Sequence, residues 1–176
     1  MRRALIQIGL ALTAVAGLVA LLFWLHPALL ERLRGQDRFR LPLRDVQCPT
    51  PPGLTRGEFL DQTQYYASLP ESLELLEDGL EEKLKEAFAK HPWVERVDAV
   101  RVLPRTVEVG LTFRRPVLAV KSPAGIRAVD PAGVLLPRNA VTEGLPLIDG
   151  EAPRGPEGAP WGDPRVEKAA RLAEKK

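Results

Sequence analysis

Residues 91–120, HPWVERVDAVRVLPRTVEVGLTFRRPVLAV, read as one unit: the stop of a helix, a strand, a tight turn at Pro104-Arg105 and a second strand. Its clearest piece is Thr106 to Phe113, where Val107, Val109, Leu111 and Phe113 alternate with Thr106, Glu108, Gly110 and Thr112. A period of two sets one group on a core face and the other toward water, because successive strand side chains point to opposite faces. The preceding strand, Val97 to Leu103, is less regular: Val97, Ala99 and Leu103 fall on one face, Val100 and Val102 on the other. Such a strand is either covered on both sides or carries a bulge. Arg114-Arg115-Pro116 closes the second strand, since proline cannot donate to a ladder.

Working back toward the amino terminus, Asp78 is followed three residues later by Glu81. Glu81 and Glu82 fill a first helical turn and Lys83, Lys85 and Lys90 come later, which complements a helix dipole. Leu80, Leu84, Ala87 and Phe88 form one apolar stripe, which Leu73 and Leu76 extend, and Pro92 ends the helix. Thr55-Arg56-Gly57-Glu58 has the spacing of a capping box and predicts a helix over about residues 56–68, with Phe59, Leu60, Thr63, Tyr66 and Ala67 inward. Residues 39–47 alternate at Phe39, Leu41 and Leu43 and then slip, giving a first strand in which Pro42 marks an edge or a bulge. Residues 39–120 therefore read strand, helix, helix, strand, strand, with both helices expected on one face of a small sheet.

At the amino terminus, Met1-Arg2-Arg3 precedes ALIQIGLALTAVAGLVALLFWL, residues 4–25, which carries no charge. As a helix it would reach roughly 33 Å, enough for a hydrocarbon core of about 30 Å. The run is long for a signal peptide and ends in Phe23-Trp24-Leu25-His26-Pro27, so an uncleaved transmembrane anchor is favoured over a cleaved signal. The expected partition is a leader over 1–3, a transmembrane helix over 4–25, a juxtamembrane linker over 26–38, the strand–helix domain over 39–120 and a partial β domain over 121–176. Arginines flank the span on both sides, so charge alone does not favour a cytoplasmic amino terminus.

Toward the carboxyl terminus, residues 125–137 read as a hairpin around Asp130-Pro131-Ala132-Gly133, and Leu145 to Gly150 holds one more short strand. Residues 151–164 show no periodicity. Asp163-Pro164 starts a last helix, with Val166, Ala169, Ala170, Leu172 and Ala173 inward.

Composition removes several function classes. The net charge of +2 is small and the basic residues are interleaved with acids, which argues against a nucleic-acid partner. A single Cys48 forms no internal disulfide, and with only His26 and His91 there is no zinc ligand set and no Cys/His nucleophile pair. No nucleophile elbow, phosphate loop or carboxylate pair is present. Glu81, Glu82 and Asp78 are explained as helix-start acids, Glu58 as a cap and Asp130 as a turn residue. The sequence thus predicts no enzyme, no cofactor, no metal and no small-molecule substrate.

Taken together, Lys90 to Val97, Leu103 to Val109, Arg114 to Val117, the Val129 to Val134 turn and Leu145 to Gly150 resemble the FtsQ/DivIB family of bacterial cell-division proteins. The resemblance covers about residues 4–172. It implies an α+β fold in which a single amino-terminal transmembrane helix is followed by a POTRA-like β-α-α-β-β domain and a β domain, here shortened. It also implies a place in the cytoplasmic (inner) membrane, the bulk of the chain lying outside the cytoplasm. Preference for a cytoplasmic amino terminus rests on this resemblance and on the short leader.

The function so implied is a bitopic scaffold, non-enzymatic, that recruits or links membrane-bound division proteins of the FtsB/FtsL type during septum formation. Family members dock those partners on strands beyond the Asp163 helix, and none of those strands is found here. Resemblance to POTRA domains places Val97, Ala99, Arg101 and Leu103 on a sheet edge where a partner strand adds by backbone pairing. The same edge also reads as one simply protected by Arg96, Asp98 and Arg101. A POTRA-type module in protein export or envelope assembly is the alternative function.

Overall fold

In a computed structural model, the structure describes residue 15, residues 17–21 and residues 39–174. The chain from residue 39 runs β1 (Arg40–Pro42), a 3-10 turn (Leu43–Asp45), α1 (Arg56–Ala67), β2 (Ser72–Glu74) and α2 (Leu80–Ala89). It continues with β3 (Val94–Leu103), β4 (Thr106–Phe113), β5 (Leu118–Ser122), β6 (Gly125–Val129), β7 (Leu147–Asp149) and α3 (Pro164–Ala173). This is an α+β arrangement built on small sheets.

The expected membrane anchor needs correction. A bilayer crossing takes about 20 apolar helical residues. Among the described residues, no helix is long and apolar enough to cross a membrane. Most of residues 4–25 lie outside the described residues, as do the leader over 1–3 and the linker over 26–38. A single-pass helix is therefore withdrawn, and with it the single-pass inner-membrane location.

The expected element order is also amended. Leu73 does not extend the α2 stripe: Ser72–Glu74 is a strand antiparallel to β1, pairing Arg40 with Glu74, Leu41 with Leu73 and Pro42 with Ser72. The order is therefore strand, helix, strand, helix, strand, strand. Leu73 is still fully buried, so its burial is met by pairing rather than by helix packing. Gly79, with φ +75°, stands at the helix start where Asp78 was expected, and no side chain caps α2. The α1 capping box is present in full: Thr55 Oγ1 accepts from the Glu58 amide, and the Glu58 carboxylate accepts from the Thr55 amide at 2.8 Å. The bonds the carboxylate accepts from the Thr55 amide and from Thr55 Oγ1 hold the Glu58 carboxyl below its usual range.

β3 and β4 form a hairpin closed at Leu103–Thr106, with register breaks at Glu95 and Asp98. Gln47 joins this hairpin to the β1 segment, donating its amide to Val107 O and accepting from the Val109 amide, both at 2.8 Å. Under these strands lies one apolar cluster that includes Phe59, Leu84, Phe88 and Val107, all fully buried. α1 contributes Phe59, Leu60 and Thr63, whereas Tyr66 is 43% exposed.

Beside the two-stranded β1-β2 and β3-β4 sheets, a third sheet has the order β6-β5-β7, β7 lying parallel to β5. α3 covers one of its faces, with Val166 and Ala170 buried against Leu118, Val120 and Trp161. Leu172, expected inward, is 58% exposed. Asp163 starts α3 by accepting from the Arg165 amide at 2.9 Å.

The β3-β4 sheet and the β6-β5-β7 sheet meet at a seam. Phe113 packs against both the first cluster and a third one made of Trp93, Ala128, Leu136 and Ala140. Arg114 Nη1 donates to Asp130 Oδ2 at 2.7 Å, with side-chain exposures of 18% and 4%. Removing one member of a buried pair strands the other, at a cost of about 3–5 kcal/mol. Replacing Arg114 by Met is expected to lower unfolding stability by about 3 kcal/mol in a denaturant titration. Asp130→Ala is expected to cost at least as much, because the Ala132 and Val134 amides lose their acceptor as well.

Candidate functional site

The outer edge of β3 is one of several sheet edges among the described strands, since β3 pairs with β4 alone. A two-residue turn makes Leu103 and Thr106 a hydrogen-bonded pair, so alternate residues Leu103, Arg101 and Ala99 turn their amides toward β4. Val102 and Val100 consequently turn theirs away from it. The direction is marked by Glu81: its Oε1 accepts the Val102 amide at 3.2 Å. β4 has its own outer side partly taken by Gln47, so β3 is the open edge of the hairpin.

The structure splits the four residues expected at this edge. Val97 is 8% exposed and belongs to the first core, whereas Ala99, Arg101 and Leu103 are exposed. The physical reason is the register break at Asp98. An extra residue in one strand reverses the alternation, so the core face passes from Val97 to Val100 and Val102, both half-buried against the cluster. The grouping of Val97 with Ala99 and Leu103 on one face is thereby corrected.

Polar side chains flank the edge. Asp98 accepts from Thr112 Oγ1 and from Arg96 Nε, both at 2.7 Å, and these bonds hold its carboxyl below the usual range. Arg101 faces Glu108 across the hairpin, and Ala99 faces Gly110. A Cβ on Gly110 would meet Ala99 and Asp98 at 3.7 Å, an ordinary contact, so a side chain there would pack against the bulge of β3.

Elsewhere the buried polar groups are committed to the fold. Thr63 donates to Phe59 O at 2.8 Å. Asp130 holds Arg114 and the amides of Ala132 and Val134. His91 is 1% exposed and lies 4.6 Å from the Phe59 ring, its Nδ1 accepting the Trp93 amide at 3.2 Å and its Nε2 lying 3.2 Å from Gln62 Oε1. With Nδ1 an acceptor, the neutral tautomer carries its proton on Nε2 and donates to Gln62. Cys48 is half-buried, and burial pushes its thiol up to about 11, so it stays protonated and inert at neutral pH.

Among the described residues, no group of three or more His, Cys, Asp and Glu side chains is placed to hold a metal ion. A hollow of about 490 Å³ between the 3-10 turn, α1 and β2 is lined by Arg44, Asp61, Glu71 and Ser72 among others. It holds no histidine or cysteine to activate a nucleophile.

Sequence reasoning missed Glu81 as an edge residue, reading it as a helix-start acid; 21 positions separate it from Val102, and no local pattern links them. It also placed Tyr66 inward, whereas Tyr66 and Tyr65, the latter 83% exposed, form an edge-on pair at 5.9 Å on the surface of α1. No family model matches the chain, and no curated protein matches it.

The surroundings of His91 set a pH dependence. Burial lowers its pKa from 6.5 to about 4. Between those values the unfolded chain binds the proton and the folded one does not, so stability falls as pH drops from about 6.5 toward about 4 and levels below that. The loss is about 3 kcal/mol at most. His91→Asn keeps an acceptor for the Trp93 amide and is expected to be less stable at pH 7 but to lose this component of the slope, as urea titrations at a series of pH values will measure.

Proposed function

We propose that this chain is a non-enzymatic scaffold of bacterial cell division, of the FtsQ/DivIB kind, which recruits or links other division proteins by offering them a strand edge. The observation that carries the reading is the outer edge of β3, with an amide at Val100 and one at Val102 directed away from β4. An edge of this kind binds through main-chain hydrogen bonds, and pockets or charges beside it select the sequence. Here the selecting groups are Arg101, Leu103 and the Arg96–Asp98 pair on the outer side, and the first turn of α2 on the other.

Support also comes from how polar groups are spent. Each buried polar residue holds backbone or a neighbouring turn, and the described hollows contain no nucleophile and base in hydrogen-bond reach. A surface used for contact is then the more economical reading than a site used for turnover. The resemblance at Lys90 to Val97, Leu103 to Val109 and Leu145 to Gly150 supplies the process, cell division, in which that contact takes place.

Two measurements test the reading. In the native host, a fluorescent fusion is expected at mid-cell and depletion is expected to give filaments; normal division on depletion with the fusion never at the septum would remove the division role. Val100→Pro deletes an outward amide while leaving the β4 ladder intact, as proline is tolerated on an edge. This variant is expected to keep its thermal midpoint within a few degrees and to lose at least about tenfold in recovery of cross-linked partners, the size expected for one or two lost hydrogen bonds.

A further inference from the structure

Trp93 is the residue on which the seam turns, and its polar groups are all engaged. Its amide donates to His91 Nδ1 at 3.2 Å, its carbonyl accepts from the Arg114 amide at 2.9 Å, and its indole Nε1 donates to Asn139 Oδ1 at 3.3 Å. The residue is 1% exposed and packs with Ala128, Leu136 and Ala140. The first of these bonds depends on protonation. Nδ1 accepts only while His91 is neutral; an imidazolium carries a proton on both nitrogens, so Nδ1–H and the Trp93 N–H would point at each other. The other bond of the ring survives, because Nε2 donates to Gln62 Oε1 in either state. We propose that His91 is an acid-sensitive latch, and that protonation of its ring releases the Trp93 backbone and opens the seam while the helices and sheets on either side stay folded.

The groups around His91 decide how its charge is met. α1 presents Phe59, Gln62 and Tyr66, and the Phe59 and Tyr66 ring centroids lie 4.6 Å and 5.5 Å from that of the imidazole. Aromatic faces within about 6 Å of a cation attract it. On another side a hollow of about 220 Å³ adjoins the ring, and its charged lining is Lys90 at the end of α2, Arg114 beyond β4 and Glu157 of the 156–159 segment. Arg114 is held by Asp130 and Glu157 by Arg127, both at 2.7 Å. The hollow therefore offers the imidazolium no unpaired carboxylate, and protonation works against the closed seam; burial correspondingly lowers the ring to about 4. The hollow does have room for water, which accepts from the new Nδ1–H once the Trp93 amide has moved away. With Gln62 still bound and water at Nδ1, the charged ring stays in place, and the first core beneath it is not required to come apart.

Amide exchange followed by NMR on the isotope-labelled full chain tests this from about pH 7 to about pH 4. Phe88 in α2 and Ala119 in β5, whose amide donates to Pro146 O at 2.9 Å, report on the two sides of the seam. The Trp93 amide is expected to be at least about tenfold less protected than either at about pH 5. Its protection is expected to fall by up to about tenfold per pH unit below about 6.5, because the open form takes up a proton that the closed form excludes. The Trp93 indole N–H is expected to lose protection in step with it. His91→Asn and His91→Gln, which cannot take up the proton, are expected to remove that slope, with circular dichroism confirming that each is folded.

Equal protection of Trp93, Phe88 and Ala119 at every pH would mean that the seam opens only when the whole chain unfolds, and would overturn the proposal. So would a Trp93 protection that does not change with pH in wild type, or a slope that persists in both His91 variants. The latch does not rest on the β3 edge. Its failure leaves the strand-edge reading standing, since neither the Val100→Pro comparison nor the mid-cell fusion depends on His91.

Discussion

The Arg114–Asp130 pair is the constraint on which the relation of the β3-β4 sheet to the β6-β5-β7 sheet depends. Arg114 follows β4 directly: its amide donates to Trp93 O at 2.9 Å, and its side chain reaches Asp130. Asp130 in turn shapes the 130–134 turn by accepting from two amides with its other oxygen. One residue thus holds the start of the β3 segment with its backbone and the end of the β6 segment with its side chain. A buried ion pair stabilises only when the rest of its polar surface is also met. Asp130 satisfies that condition, whereas Arg114 Nε is buried without a partner. The seam around the pair is packed closely. At Gly158, φ +85°, an added Cβ would stand 3.0 Å from Pro92 Cα, so conformation and space both require glycine there.

Elements defined by local pattern were legible in the sequence. The α1 capping box needs only Thr55 and Glu58 three residues apart, and both of its bonds form. The alternation in Thr106 to Phe113 and the proline at the start of α3 are likewise local signals, and a strand and a helix stand there. Features that depend on distant partners were not legible. Leu73 has the spacing to continue the α2 stripe, but Leu41, 32 positions earlier in the chain, pairs with it as a strand. Leu172 fits the inward face of α3 by spacing, yet it is mostly exposed. The irregular pattern of β3 left a bulge and a two-sided burial open. Only the register with β4 decides between them, by placing the extra residue at Asp98.

That bulge also decides which part of the edge is usable. Upstream of it, Glu95 and Asp98 interrupt the ladder twice within five residues, and such breaks bend a strand away from flat pairing. Downstream, Ala99 to Leu103 is regular, and there protection falls to a side chain rather than to backbone geometry. A bulge is permanent as long as the hairpin is folded. A carboxylate on an exposed helix turn is not: an exposed side-chain hydrogen bond contributes only about 0.5–1.5 kcal/mol net, because water takes over both groups when it opens.

The difference in strength sets what a strand laid along this edge would gain. A strand that adds across Ala99 to Leu103 gains bonds at both Val100 and Val102 while displacing a single contact at Val102, so the exchange favours addition only when the incoming segment fits both positions. A segment that satisfies one position alone gains little over what Glu81 already supplies. Glu81 thus meets the outward amide of Val102 with an exposed side chain, where the bulges upstream act through backbone geometry.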